Sequence, residues 1–372
     1  KDNMEFKIDR DVFLKSLAHV QGVVEKKNTL PILGNVMLEA HDTFLKITAT
    51  DLDIIITEKI TCNTVIEGST TTTAQVIYDI VRKLKTGSTL HLTLKENNRL
   101  KLISGKSDFN LTCISPDEFP ILEDNMDEEY LEVPSFEFLK IVNKTKFSIS
   151  NDETRHYLNG IFLDKKESQN QLIAVATDGH RLSKSATEIK GSSNFHPIIL
   201  PKKTVYELMT IIDEDSINLK ILSTKSKIKF LYKEIVLISK VIDGKFPDYE
   251  KVIPQDERVE AKSNVDEFVS ALDRLKSLSS DRKGVIKISL NSGIMKFLIN
   301  DAISGDGIEE VQTQYKGQPL EIGFNSNYLI DVASVLESKE IVLMLKDATS
   351  PIQIKDENDT LSTYIIMPMR VL

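Results

Sequence analysis

A chain of 372 residues is longer than one ordinary domain, and 41% hydrophobic with 28% charged residues is the balance of a folded globular protein. Lys and Arg number 47 against 56 Asp and Glu, a net of −9, which taken whole argues against a nucleic-acid partner. Cys62 and Cys113 are too few for a disulfide framework or a thiolate metal site, no apolar run approaches the ~18–20 residues of a membrane span, and the lack of Trp leaves few stacking platforms for single strands. The opening Lys1–Phe6 passes straight into alternating sequence without an apolar signal region, so the expectation is a cytoplasmic protein with no membrane contact and no cofactor.

In chain order, Phe13, Leu14, Leu17, Val20 and Val24 recur at three- and four-residue steps and predict a helix over 10–27. A second helix is expected over 75–85, around Tyr78-Asp79-Ile80. Strands such as Thr89–Leu94 follow, alternating in twos and turning at Glu96-Asn97-Asn98. Ser135 is read as the cap of a helix over 135–146, with Phe138, Ile141 and Val142 on its inner face. Another helix is expected over 201–212, around Tyr206-Glu207-Leu208. Asn264 precedes a helix over 264–283 carrying Phe268, Leu272 and Leu275; Ile286–Leu290 alternates before the turn Asn291-Ser292-Gly293; Asn325-Ser326 opens a last helix over 325–337.

These elements repeat. Phe13, Phe138 and Phe268 stand 125 and 130 apart, and Asp79, Glu207 and Asp331 stand 128 and 124 apart. Phe119-Pro120, Phe246-Pro247 and, more loosely, Met367-Pro368 close each unit. Since a third of the chain is 124 residues, three tandem domains are expected, over 1–127, 128–257 and 258–372. Each is an α+β unit of two helices packed on antiparallel strands.

Enzymatic motifs fail one by one. Gly105-Lys106-Ser107 resembles the end of a phosphate loop, but the earlier glycine it needs is Leu100. Gly305-Asp306-Gly307 lacks a third glycine, and no two of the histidines 19, 41, 91, 156, 180 and 196 are four apart. Asp178 and His180 in Ala176–Leu182, an acid and an imidazole two residues apart in an expected turn, are the best candidate for general acid–base chemistry. The related Ala49-Thr50-Asp51-Leu52 has no histidine, which favours a turn shared by both repeats. A hydrolase using Asp178 and His180, or an interaction scaffold without DNA, are the alternatives to the reading that follows.

Thr29-Leu30-Pro31-Ile32-Leu33, Ala49–Leu52, Tyr157-Leu158-Asn159-Gly160, Ala176–Leu182, Phe246-Pro247-Asp248-Tyr249 and Met367-Pro368-Met369-Arg370 together make the chain resemble the bacterial DNA polymerase III beta subunits, the sliding clamps. The resemblance spans the chain. It implies three clamp domains per subunit and a non-catalytic, head-to-tail homodimeric ring that encircles double-stranded DNA without reading its sequence. It also implies docking of the polymerase alpha subunit, the clamp-loader delta subunit, and other polymerases and repair proteins that carry a clamp-binding peptide. A tether of this kind raises local concentration, so modest peptide affinity suffices for processivity.

Net charge then divides by element. The six expected helices hold 16 basic and 11 acidic residues, +5, leaving −14 elsewhere; those of the first two repeats carry +7 and those of the third −2. The expected phosphate contacts are Lys27, Arg82, Lys83, Lys140, Lys144, Arg155, Lys202, Lys203 and Arg274. By resemblance Lys27 and the Arg155-His156-Tyr157 turn touch DNA, although Asp152-Glu153 beside Arg155 weakens that expectation. The implied peptide pocket comprises Leu158, Thr177, Gly179, His180, Arg181, Leu182, Pro247, Val252, Ile365, Met367, Pro368, Met369 and Arg370, with adaptable methionine surface and polar rim contacts from His180 and Arg181. The tail Arg370-Val371-Leu372 departs from the family, which has Leu directly after Arg. For the ring joint the resemblance implies Phe109 and Leu111 on one side and Leu275 and Leu278 on the other, in a segment one residue shorter than usual.

Overall fold

In the computed structural model the described residues are 3–27, 29–121, 124, 126, 129–190, 194–281 and 283–370. Six α-helices lie among them: α1 Arg10–Gln21, α2 Ala74–Lys83, α3 Ser135–Asn143, α4 Lys202–Ile211, α5 Val265–Lys276 and α6 Ser326–Ala333. The rest is antiparallel strand with short 3-10 turns. In α1 the buried Phe13, Leu17 and Val20 follow the helical period, and in α5 Phe268, Ala271, Leu272 and Leu275 do the same.

The caps follow side-chain chemistry. Asp9 Oδ1 accepts from the amides of Asp11 and Val12, Asn264 Oδ1 from Glu267 N, and Asn325 Oδ1 from Asn327 N. Ser135 differs from expectation: it is the first residue of α3, and its Oγ donates to Asp215 O at 2.7 Å. The same hydroxyl accepts from Ile217 N at 3.3 Å, so it ties α3 to the segment at 215–217.

Every helix is shorter than its expected span. Gly22 ends α1, Leu84 turns extended after α2, and Thr145 Oγ1 bonds back to Ile141 O just beyond α3. Glu25, Lys26, Lys27, Lys85, Lys144, Lys146, Asp281 and Lys283 therefore fall outside the helices. The observed helices hold nine basic and eight acidic residues, so the expected +5 shrinks to +1. Arg10 is one of the nine, and it is buried: Nε donates to Val81 O at 3.0 Å and Nη2 to Arg82 O at 2.6 Å, satisfying the last carbonyls of α2.

The chain forms two compact units. One runs to Phe136 and adds Lys190–Ile198 and Lys203–Val241; the other holds Glu137–Ile189, Ile199–Lys202 and everything from Ile242. The first unit is built on a thirteen-stranded antiparallel sheet, in which Ile235–Lys240 of the middle repeat pairs with Ile54–Thr61 of the first. In the second unit Arg181–Glu188 of the middle repeat pairs with Asp359–Ile366 of the third, within a nine-stranded sheet, and a four-stranded sheet ends at Gly305–Gln312. Backbone ladders thus cross each junction between repeats, which is why compactness divides the middle repeat. α1 packs on α2 in one unit and α5 on α6 in the other.

Candidate functional site

Two turns of the same construction stand at corresponding places in the first two repeats. At 177–181, Thr177 Oγ1 donates to Arg181 O at 2.6 Å and accepts from Gly179 N at 3.2 Å, while Asp178 Oδ1 accepts from His180 N and Arg181 N at 2.9 and 3.0 Å. At 50–54, Thr50 Oγ1 donates to Ile54 O and accepts from Leu52 N, and Asp51 Oδ1 accepts from Asp53 N and Ile54 N. The third position is left-handed in both, φ +86° at Gly179 and +77° at Leu52. Asp178 is therefore turn scaffold. Its other oxygen takes Arg181 Nε at 3.2 Å, so the hydrolytic pairing of Asp178 with His180 is corrected: the carboxylate serves amides and a guanidinium, not the imidazole.

Beside Gly179 lies a mainly apolar cavity of about 240 Å³. Leu158, Thr177, Gly179, Arg181, Leu182, Pro247, Val252, Ile365 and Met367, nine of the residues named for the implied pocket, line it together with Arg155, Tyr157 and Tyr249. Leu158, Leu182, Tyr249 and Ile365 form its buried wall, with Phe162 stacked on Phe246 at 4.9 Å in the same cluster. Met367 is 40% exposed and is held by its amide on His180 O at 2.9 Å. A Cβ on Gly179 would stand 2.9 Å from Arg155 Nη1, the movable end of a long side chain, and glycine takes the φ of +86° without strain.

Several expected members are placed differently. His180 is exposed and contributes its carbonyl to Met367, not a lining side chain. Pro368, Met369 and Arg370 line a separate cavity of about 530 Å³ beside Gly323, whose carbonyl accepts from Met369 N at 2.7 Å. The tail departure at Val371-Leu372 lies outside the described residues. Arg181 lines the pocket but is not a free rim donor. Its Nη1 meets Asp331 Oδ2 at 2.6 Å, and its guanidinium lies 4.1 Å over the Tyr328 ring. Tyr249 is a lining residue that the string Phe246–Tyr249 does not disclose, because nothing in it says which ring faces the cavity.

The expected DNA contacts divide by their partners. Lys27 and Lys83 are exposed, with no ion-pair partner among the described residues. Arg82 pairs with Asp79, Arg274 with Glu309, and Lys202 Nζ donates to Asn151 Oδ1 at 2.6 Å. Lys203 donates to Asp51 Oδ2 at 2.5 Å, Glu25 Oε1 at 3.1 Å and Val23 O at 3.0 Å. Burial works to lower the Lys203 pKa, but the hydrogen bonds to Asp51 and Glu25 prevail and hold it above the usual lysine value. Below it, burial pushes the Glu207 carboxyl up to about 7, against the opposing pull of Lys203. Lys140 bonds to Glu337 at 2.7 Å, and the hydrogen bond from Lys140 holds the Glu337 carboxyl below its ordinary value.

Lys144 is corrected. Its side chain is 6% exposed and meets Asp359 and Glu337 at 2.5 and 3.1 Å, so it has no reach to a phosphate. The turn at 155–157 is corrected in part. Arg155 Nε pairs with Asp152 at 3.1 Å, as its neighbours warned, and Arg155 and Tyr157 turn to the apolar cavity; His156 Nε2 lies 3.0 Å from Asp243 O.

For the ring joint, Ser107–Ile114 bonds along one side to Arg99–Ser104, and on its other side, among the described residues, only Cys113 and Ile114 are paired. Phe109 is half-buried on this edge and Leu111 is buried. Gly305–Gln312 is likewise an edge, bonded among the described residues only to Ile294–Asp301, and exposes Ile308. Leu275, 3% exposed in the core under α5, and Leu278, packed against that core, both cover Gly307 of this edge, so Leu278 is the more outward of the two.

Tandem α+β repeats joined by continuous ladders, with open sheet edges and an apolar pocket, define a clamp-type protein. Family models for the DNA polymerase III beta subunit match end to end: N-terminal domain over 4–123, central domain over 132–248 and C-terminal domain over 250–370. The beta sliding clamp of Caulobacter vibrioides is 34% identical over 372 residues, covering 99% of this chain and 100% of that one, and the clamp of Escherichia coli K12 is 32% identical with the same coverage. Among solved structures, the Caulobacter crescentus clamp with polyethylene glycol bound superposes with a TM-score of 0.95 at 34% identity, over 99% of each chain. The Bartonella birtlesii clamp bound to griselimycin matches at 0.95 and 38% identity, over 99% of this chain and 100% of that one. The chain belongs to the DNA polymerase III beta subunit family of sliding clamps, non-catalytic processivity subunits of the replicative polymerase.

Proposed function

We propose that two copies of this chain, each with domains over 1–127, 128–257 and 258–372, close head to tail into a ring around double-stranded DNA. The ring is held by the edge at Phe109 and Leu111 of one copy against the edge that Leu278 borders in the other. The observation that carries this reading is the pair of open strand edges, Ser107–Ile114 and Gly305–Gln312, since an unpaired edge of this length is a template for another strand. Lys27 and Lys83 are the leading phosphate contacts, with Arg82, Lys140, Lys202, Lys203 and Arg274 reached through exchange of their present partners. The cavity beside Gly179 takes an apolar peptide, from the polymerase alpha subunit, the clamp-loader delta subunit or other polymerases and repair proteins. The working place is the bacterial cytoplasm.

The test is retention after loading. Protein loaded by a clamp loader should stay on a closed circle through gel filtration and run off once the circle is linearised. Equal retention on both forms, or on neither, would sink the topological mechanism.

A further inference from the structure

Lys140 and Lys144 stand one helical turn apart and share a single carboxylate oxygen, Glu337 Oε1, at 2.7 and 3.1 Å. Their surroundings differ. Lys144 is 6% exposed and also grips Asp359, whose carboxylate is held by Ser362 Oγ and Leu361 N. Lys140 and Glu337 are each 34% exposed; Lys140, Lys144 and Asp359 all border a polar cleft of about 300 Å³, so exposure and not the cleft separates the two lysines. Glu337 is positioned from behind, because its amide donates to Asp356 Oδ2 at 2.7 Å. If Lys140 leaves, Glu337 keeps Lys144, so no carboxylate is stranded without a cation. An exposed ion pair of this kind holds weakly, whereas the buried one resists opening.

We propose that Glu337 is an exchangeable counter-charge for Lys140: it holds the ammonium while the ring is empty and yields it to a DNA phosphate, with Lys144 staying locked on Asp359. Glu337 is thus a positioning residue for the sliding contact. It restrains Lys140 so that no phosphate is held firmly enough to stall movement. This rests on the DNA-encircling reading above.

The experiment measures binding of a short fluorescent duplex by the full-length dimer over a series of salt concentrations. Glu337→Gln should tighten binding several-fold at low salt and steepen the log–log salt dependence by up to about one unit, the signature of one added phosphate contact. In a Lys140→Gln background the same substitution should do nothing. Unchanged affinity and slope, or an equal gain with Lys140 removed, would overturn the proposal, since a general charge effect would not need Lys140. Should Glu337→Gln fold poorly, the wild-type chain with isotopically labelled dimethyl-lysines gives a second reading. Adding duplex should shift the Lys140 signal and leave that of Lys144 in place; a shift of Lys144 alone would overturn it. Wild-type protein that fails to stay on closed circles would instead overturn the DNA reading itself.

Discussion

The turns at 50–54 and 177–181 have the same hydrogen bonds and the same left-handed third residue, yet one borders a cavity and the other does not carry a comparable one among the cavities described. The difference is two side chains. Gly179 leaves room beside Arg155, and Arg181, inside the turn's own strand, reaches Asp331 of the third repeat. In the first repeat Leu52 puts a side chain where Gly179 has none, and the turn's aspartate, Asp51, instead receives Lys203 from the start of α4. One backbone device thus serves as pocket wall at one repeat junction and as a latch at the other.

The largest expected effect separates the latch from the pocket wall. Asp51 is 5% exposed in its side chain, and Asp51→Ala removes two turn hydrogen bonds together with a close partner of Lys203, at a cost of about 3 kcal/mol. Asp178→Ala removes the equivalent turn bonds but leaves Arg181 on Asp331, so its cost should be smaller, about 2 kcal/mol. Urea midpoints of the two variants decide this; an equal or reversed order would break the comparison.

Next in size is the pH response of the latch. The Glu207 carboxyl sits at about 7 in the folded chain against 4.5 when free, raised by burial. Between these values the unfolded chain has lost its proton and the folded chain has kept it, so stability falls as pH rises from 4.5 towards 7 and stays low above. Glu207→Gln should flatten that fall and gain on the order of 3 kcal/mol over wild type at alkaline pH. Unfolding titrations of both proteins across this window provide the check, and parallel curves would remove Glu207 from the account.

Making the pocket turn resemble its counterpart is a sharper, smaller change. Gly179→Leu should weaken a labelled clamp-binding peptide by at least about tenfold, because the new side chain enters the cavity against Arg155. Fluorescence anisotropy reads this, and unchanged affinity would place the peptide elsewhere. The reverse substitution, Leu52→Gly, relieves the left-handed backbone and should raise stability only slightly, by about 0.5 kcal/mol, since glycine also loosens the unfolded chain. A calorimetric drop of more than a degree or two would mean that Leu52 packs in a way its 41% exposure does not suggest.

Much of the pocket was legible because its pieces are local strings. Thr177–Leu182 is a turn whose bonds run between residues two to four apart, and Leu158, Pro247 and Met367 sit in motifs that mark themselves. What resisted reading was orientation. Arg155 and Tyr157 read as surface cations and aromatics facing DNA, yet the 3-10 turn Glu153–Leu158, non-helical at Arg155, turns them to the cavity. The third repeat's −2 was the visible trace of a wider failure, for charge counted along helices ignores where each charge is spent.

By itself the sequence determined the threefold repeat, the order of helices and strands, the caps at Asn264 and Asn325, and the turn that borders the pocket. All of these depend on spacings of a few residues or on repetition of whole segments. Only the tertiary structure decided which lysines remain available. Lys144 finds Asp359, Lys140 finds Glu337, Lys203 finds Asp51, and Arg10 is buried against the end of α2. Those partners are 71 to 215 residues away along the chain. A charge is cancelled by whatever carboxylate the fold brings within a few ångströms, and that distance is set by the packing of sheets and helices, which no run of neighbouring residues contains.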